Sequence, residues 1–277
     1  MKHLVLGSEG QIGSHLVNYL KLVKNQEVLT FDILSDPVQD LRIHNHIKLR
    51  DFIQDCDIVH FLAYDVGGAK YLETHQDTFD FINNNMLIMS NVFTMIKKYN
   101  KPVIFASSQM SELNHSSYGM LKLLGEKMTR DIGGVSARFW NVFGCEPDGE
   151  KSHVITDFIK MAKEDGEIKM RTDGTESRQF LFADDCCEAL WVLSRSYDQI
   201  QPFNDRSYDI TSHKWTTILE LAELIQKISG CKIKVGTKKD QTQQNAMNEP
   251  NLNINQWWQP NYSLFEGIRE LWNVSKE

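Results

Sequence analysis

Apolar residues open the chain at 4–6, give way to glycines at 7, 10 and 13, and resume at 12, 16, 20 and 23 with helical spacing. That order predicts a short buried strand, a glycine turn and a helix. Further short runs rich in Val, Ile and Phe lie at 28–31, 58–63, 103–105 and 135–139, and helix-length segments at 84–99 and 117–131 separate the later ones. Buried strands alternating with helices predict a parallel sheet wrapped on both faces. After residue 144 the pattern loosens: turn-rich EPDGEKS and TDGTES flank a helix predicted over 153–164. Segments 180–182 and 208–210 read as strands able to return to the first sheet, with a helix over about 184–197 between them. Segments 216–229 and 262–272 have amphipathic helical spacing, and the polar, Gln- and Asn-rich 238–256 reads as a mobile loop. Residues 1–144 and 178–212 are therefore assigned to one domain, and 145–177 and 213–277 to a smaller, discontinuous second one.

A length of 277 residues suits one large domain or two packed together, and 41% hydrophobic with 24% charged residues is a globular composition. The 30 Lys and Arg against 37 Asp and Glu leave a net charge of −7 with no dense basic stretch, which argues against a nucleic-acid partner. Cys56, Cys145, Cys186, Cys187 and Cys231 are odd in number and follow no zinc-ligand spacing, as expected of free thiols in a reducing cytosol. Cys186 and Cys187 adjoin on one predicted helix, where one is expected to pack inside and the other to face a different surface. His44 and His46, without Cys or carboxylate company, read as solvent-facing rather than metal-binding. Neither a signal peptide before the first apolar run nor an apolar stretch of about 20 residues is evident, so no membrane and a cytoplasmic location are expected, and the lack of metal-ligand spacing leaves no metal expected.

Gly7, Gly10 and Gly13 form a GxxGxxG turn between strand and helix, where bare backbone can approach a pyrophosphate at the helix N-terminus; a merely tight turn would need the same glycines. Asp32, at the end of the second strand, decides for the dinucleotide: a carboxylate there accepts hydrogen bonds from the adenosine ribose hydroxyls. It would also repel a 2′-phosphate, and its neighbours Ile33 and Leu34 supply no cation, which selects NAD over NADP. Asp40 either contacts the adenine or is a solvated loop acid. Tyr118 and Lys122 in SSYGMLKLLGEK are one helical turn apart on one face, and they follow the strand KPVIFASSQM, which ends in Ser107 and Ser108. Ligands bind outside the carboxyl ends of strands in such sheets.

With these features the chain resembles the extended short-chain dehydrogenase/reductase family, in its NAD-dependent nucleotide-sugar epimerase/dehydratase branch. HFLAY (60–64), NNNMLIMSNV (83–92), RFWNVFG (138–144), DGTESRQFLFADD (173–185), YDITS (208–212) and WWQPNYSLFEGIRELW (257–272) each resemble a family segment, in order, from end to end. The resemblance implies an α/β fold, a Rossmann-type doubly wound sheet with a smaller C-terminal α/β substrate domain. It implies that Ser108, Tyr118 and Lys122 are the catalytic triad, with Ser107 as an adjacent candidate. Gly7, Gly10, Gln11, Ile12, Gly13, Asp32, Asp40, Leu62, Ala63, Tyr118 and Lys122 would bind NAD. Ser108, Asn141 and Arg178 would bind a nucleotide-diphosphate sugar, Arg178 at the diphosphate; Asn141 could instead tie a loop to backbone. Chemically, a phenol with pKa near ~10 becomes a base at neutral pH only where cations stabilise its phenolate, and Lys122 and a nicotinamide ring are the cations implied. The helices at 84–99 and 117–131 resemble those that pair family homodimers, although a face buried within one chain has the same periodicity.

Departures narrow the chemistry. Gln109 and Met110 stand where 4,6-dehydratases of the family carry an Asp-Glu pair, which speaks against loss of water. VGG (66–68) and SHVI (152–155) resemble enzymes that invert C3 and C5, yet Met110 replaces their Cys, and no second acid/base pair is evident. Glu146, beside Cys145, stands where the 3,5-epimerase/4-reductase relatives place a catalytic His. The leading expectation is a C4 epimerase acting through a transient 4-keto sugar. A 4-keto-sugar reductase, with or without 3,5-epimerisation, and a catalytically inactive dinucleotide-binding module are the alternatives.

Overall fold

Strands β1 (Lys2–Leu6), β2 (Glu27–Phe31), β3 (Ile58–Phe61), β4 (Val103–Ser108) and β5 (Val135–Phe139) form where the short apolar runs predict them. The computed structural model describes residues 1–113, 115–146, 152–199, 206–239 and 248–274. Helices α1 (Gln11–Asn18, continued by a π-helical turn Tyr19–Val23), α2 (Ile47–Asp55), α3 (Ala69–His75), α4 (Phe79–Tyr99) and α5 (Ser117–Asp131) alternate with the strands. The second half adds β6 (Val142–Phe143), α6 (Val154–Glu164), β7 (Glu167–Lys169), β8 (Ser177–Gln179), β9 (Leu181–Phe182), α7 (Ala183–Arg195), β10 (Ser207–Ile210), β11 (Trp215–Thr217), α8 (Ile218–Ser229), β12 (Lys232–Lys234) and α9 (Leu264–Val274).

The central sheet has six parallel strands in the order β10-β5-β4-β3-β1-β2. Because side chains alternate across a strand, strands β1 to β4 each feed two cores. Leu4, Leu6, Val59, Phe61, Val103 and Phe105 point into one layer, with residues of α2, α4 and α5. Val5, Ile58 and Ile104 point into the other, with residues of α1 and α7. Both faces are therefore covered, which accounts for strands whose apolar residues point to both sides of the sheet. The chain passes from β1 outward to β2 and then back across to β3, so the crevice between the ends of β1 and β3 is a topological switch point.

Several expectations need correction. Segment 180–182 does not join the main sheet: β9 pairs with β6 in a separate two-stranded ribbon, while 208–210 does return as β10 beside β5. Helix α4 starts at Phe79 rather than 84, because the Thr78 hydroxyl accepts from Phe81 N and caps it there. His46 is buried, not solvent-facing: it caps α2 by accepting from Leu49 N at 3.2 Å, and its Nε2 lies 2.7 Å from Val38 O. Cys186 and Cys187 are both fully buried, since α7 is covered by α1 as well as by the sheet. Residues 240–247 of the expected mobile loop and 147–151 of the turn-rich EPDGEKS lie outside the described residues.

A third apolar cluster, built from Phe143, Ile155, Phe158, Leu221, Ile225 and Ile268, belongs to the second half of the chain. Arg178 lies there on β8, paired antiparallel with β11. Among the described residues no helix is long and apolar enough to cross a membrane.

Candidate active site

The glycine turn closes the switch point. Gly7 has φ +85°, and a Cβ on it would stand 2.7 Å from Ala63 Cα; a Cβ on Gly13 would stand 1.9 Å from Gly7 O. Strand, turn and helix thus meet with no room for side chains. Gly10 differs: a Cβ there would meet only Gly7 O at 3.4 Å, so internal packing does not demand glycine. Gly10 also begins α1 with no side-chain cap and no acid in the first turn. Free backbone N–H groups at a helix start suit a pyrophosphate.

Asp32 follows β2 and is buried; it accepts from Glu9 N at 2.9 Å and Leu34 N at 2.8 Å. A carboxylate has about four lone-pair sites, so two acceptors remain for hydroxyls. Asp40 is held by Arg42, whose Nε and Nη2 donate to its two oxygens at 2.9 and 2.8 Å, and Arg42 Nη1 reaches Asn84 Oδ1 at 3.2 Å. Those bonds pull the Asp40 carboxyl below its ordinary range. Arg42 was missed from sequence, because it lies ten residues beyond Asp32.

Helix α5 sits tight against β4: a Cβ on Gly125 would stand 2.4 Å from the Phe105 ring, and the Ser116 hydroxyl caps the helix by accepting from Gly119 N. This closeness brings Tyr118 and Lys122 onto the end of β4, both buried. Lys122 Nζ donates to Ala106 O at 2.7 Å. Burial pulls its pKa down to about 7 against the opposing charge of Glu126. Burial likewise pushes the Tyr118 phenol up to about 12, partly offset by its hydrogen bond with the Ser108 hydroxyl. Without further positive charge the phenol is thus a poor base at neutral pH. Of the two strand-end serines, Ser108 is the one in contact with Tyr118. Ser107 donates to Glu126 Oε1 at 2.5 Å, and Glu126 in turn receives Arg138 Nε and Nη2, each at 2.8 Å.

All the residues assigned to cofactor and substrate from sequence line one cavity of about 590 Å³: Gly7, Gly10, Gln11, Ile12, Gly13, Asp32, Asp40, Leu62, Ala63, Ser108, Tyr118, Lys122, Asn141 and Arg178. Asn141 Nδ2 is buried there with no hydrogen-bond partner among the described residues. Arg178 Nη1 donates to Ser177 O at 2.7 Å. A bare backbone cradle, a carboxylate with spare acceptors and an orphan donor fit a dinucleotide and a polar substrate.

Sequence reading also missed a second acid/base pair. Glu146 and His153 line the same cavity; His153 Nδ1 donates to Glu146 Oε1, and His153 N to Glu146 Oε2 at 2.9 Å. Burial works against the Glu146 charge, but the bonds from His153 outweigh it and leave that carboxyl below its ordinary range.

A profile of the NAD-dependent epimerase/dehydratase family matches residues 3–210. GDP-mannose 3,5-epimerase of Arabidopsis thaliana is 25% identical, the match covering 97% of this chain and 80% of that protein. Among solved structures, epimerase Mth375 of Methanothermobacter thermautotrophicus superposes with a TM-score of 0.82 at 20% identity, covering 99% of this chain and 92% of the other. UDP-glucose 4-epimerase of Thermotoga maritima, solved with UDP-glucose, gives 0.79 at 20% identity over 100% and 99% of the two chains. At such identities the structures establish the Rossmann-type fold alone.

Proposed function

From the premise that the chain belongs to the NAD-dependent epimerase/dehydratase family, we propose that it is a cytoplasmic nucleotide-sugar epimerase inverting C4 through a transient 4-keto sugar. One observation carries this reading: Ser108, Tyr118 and Lys122 meet at the end of β4 in the cavity that also holds the glycine turn and Asp32. Gly7, Gly10, Gln11, Ile12, Gly13, Asp32, Asp40, Leu62 and Ala63 would hold the NAD. The chemistry that NAD would supply when bound is reversible hydride acceptance from a sugar carbon. Tyr118 takes the proton of the sugar hydroxyl and later gives it back to the same oxygen, so the proton balance closes within the site. Ser108 holds that oxygen by a hydrogen bond. Lys122 supplies the positive charge that brings the phenol within reach of neutral pH and binds the nicotinamide ribose. Arg178 offers a planar fork of donors to the diphosphate, and Asn141 Nδ2 donates to the sugar.

The proposal includes a division of labour in which residues 1–144 and 178–212 hold the dinucleotide and 145–177 and 213–277 the nucleotide sugar. The apolar cluster around Phe158 and Leu221 supports it, with Phe143, Phe180 and Phe182 of the first part packed onto that cluster.

Denaturing the purified protein and identifying the released nucleotide tests the reading. About one NAD per chain, followed by isomerisation of one UDP-, GDP-, dTDP- or CDP-sugar with no net change in reduced-nicotinamide absorbance, is the expected result. An empty site with steady consumption of reduced cofactor on a 4-keto sugar would replace epimerase by reductase.

A second reading, 3,5-epimerisation with 4-reduction, is favoured by the Glu146–His153 pair in the cavity and by the 25% identity to a GDP-mannose 3,5-epimerase. An imidazole backed by a carboxylate can move a carbon-bound proton, which C4 inversion does not require. In D2O a 3,5-epimerase places deuterium at C3 or C5 of its product; a C4 epimerase does not.

We further propose a homodimer. Phe79, Met86 and Leu87 of α4 and Met120, Leu123 and Leu124 of α5 are exposed on two helices that pack side by side. Light scattering after gel filtration should give twice the chain mass, and Leu87→Glu with Leu123→Glu should give the monomer. A wild-type monomer at micromolar concentration would refute the assignment.

A further inference from the structure

Lys122 is the cation on which the proposed chemistry depends, and it is buried, which makes its charge costly. One of its protons is satisfied by Ala106 O at 2.7 Å. The ring of Tyr64, just beyond the end of β3, lies against it, with Nζ 3.5 Å from the ring centroid. The same ring meets Tyr118 edge-on at 6.0 Å and lines the cavity. The other groups facing the ammonium are the rings of Phe105 on β4 and Tyr118 on α5, at 5.1 and 5.6 Å, and Glu126 one helical turn on, itself tied to Ser107 and to Arg138 of β5.

We propose that Tyr64 is a positioning residue: its ring face holds the Lys122 ammonium in the charged form beside Tyr118, so that the phenol can release its proton. A ring face attracts a cation through its quadrupole, and most strongly where water is excluded. Tyr64 is not a rival base, because burial, and then the charge of Tyr118, push its own phenol far above the ordinary range. Among the described residues its hydroxyl reaches only Met89 Sδ, at 4.0 Å, so the ring rather than the oxygen does the holding. This inference rests on the reading of Tyr118 as the base, and its test is independent of turnover.

Lysine labelled with 13C at Cε reports the Lys122 titration by NMR, with the resonance assigned by its absence in Lys122→Met. Tyr64→Phe should leave the midpoint unchanged. Mono-, di- and trifluorophenylalanine at position 64, nearly identical in shape and progressively weaker in quadrupole, should lower it stepwise, by about one pH unit across the series. Tyr64→Leu should lower it at least as far. A midpoint constant from phenylalanine to trifluorophenylalanine overturns the proposal. That outcome leaves Tyr118 untouched as the base, whereas an active Tyr118→Phe enzyme would remove the base and leave the cation contact standing.

Discussion

Tyr118→Phe is expected to abolish turnover, by a factor of about 10³ or more, while NAD binding stays within a few-fold of wild type. The substitution removes one oxygen from a ring that is otherwise packed against Tyr64 and the end of β4. Fold and cavity walls should persist, because Asp32 and the glycine turn hold their geometry through backbone bonds that do not involve Tyr118. What disappears is the group proposed to accept the hydroxyl proton, and positioned acid/base groups account for about 10² to 10⁴ in rate. Ser108→Ala should cost about 10², since it leaves the base and removes the bond that orients it. Isothermal titration with NAD, beside the rate on whichever nucleotide sugar the wild type isomerises, separates the outcomes. Wild-type turnover in Tyr118→Phe would eliminate this chemistry; lost turnover together with lost NAD binding would move Tyr118 from base to cofactor wall.

The parts of this site that are legible in the sequence are those whose geometry is local. The glycine turn, the acid after β2 and the Tyr118–Lys122 spacing each depend on one element and its own periodicity, and the cavity gathers them all. The contacts that escaped the sequence join distant positions. Tyr64 and Lys122 are 58 residues apart and meet because β3 and β4 are neighbours in the sheet. Glu146 and His153 lie seven residues apart, and spacing alone does not say that their side chains converge. The same distinction holds for the fold. Strands β1 to β5 follow from apolar runs bounded by turns, whereas the pairing of β9 with β6 depends on where Asn141 leaves the sheet, its carbonyl accepting from Leu181 N at 3.2 Å. A three-residue apolar run does not specify its partner.

Glu126→Ala should destabilise the protein by about 3–5 kcal/mol in urea unfolding, the usual cost of leaving one partner of a buried ion pair alone. The side chains of Glu126 and Arg138 are 7% and 10% exposed, so water cannot replace the lost carboxylate. Burial works against the Arg138 charge, and Glu126 outweighs it, holding the guanidinium above its ordinary range. Glu112, at 2.7 Å from Nη1, is half exposed and a weaker substitute. Pairing Glu126→Leu with Arg138→Met should recover most of the loss, because an apolar pair of similar volume removes both charges. A Glu126→Ala cost below about 1 kcal/mol would mean that Glu112 and Asp209 carry the guanidinium between them. The same carboxylate also sits one turn from Lys122 and favours its charge. Even in the restabilised double variant, the Lys122 midpoint should therefore fall below about 7. The alkaline limb of the rate profile should move to lower pH with it, since the ammonium is lost sooner as pH rises. Stability restored without that movement would confine Glu126 to the core; restored stability with it would tie the buried ion pair to the chemistry at Tyr118.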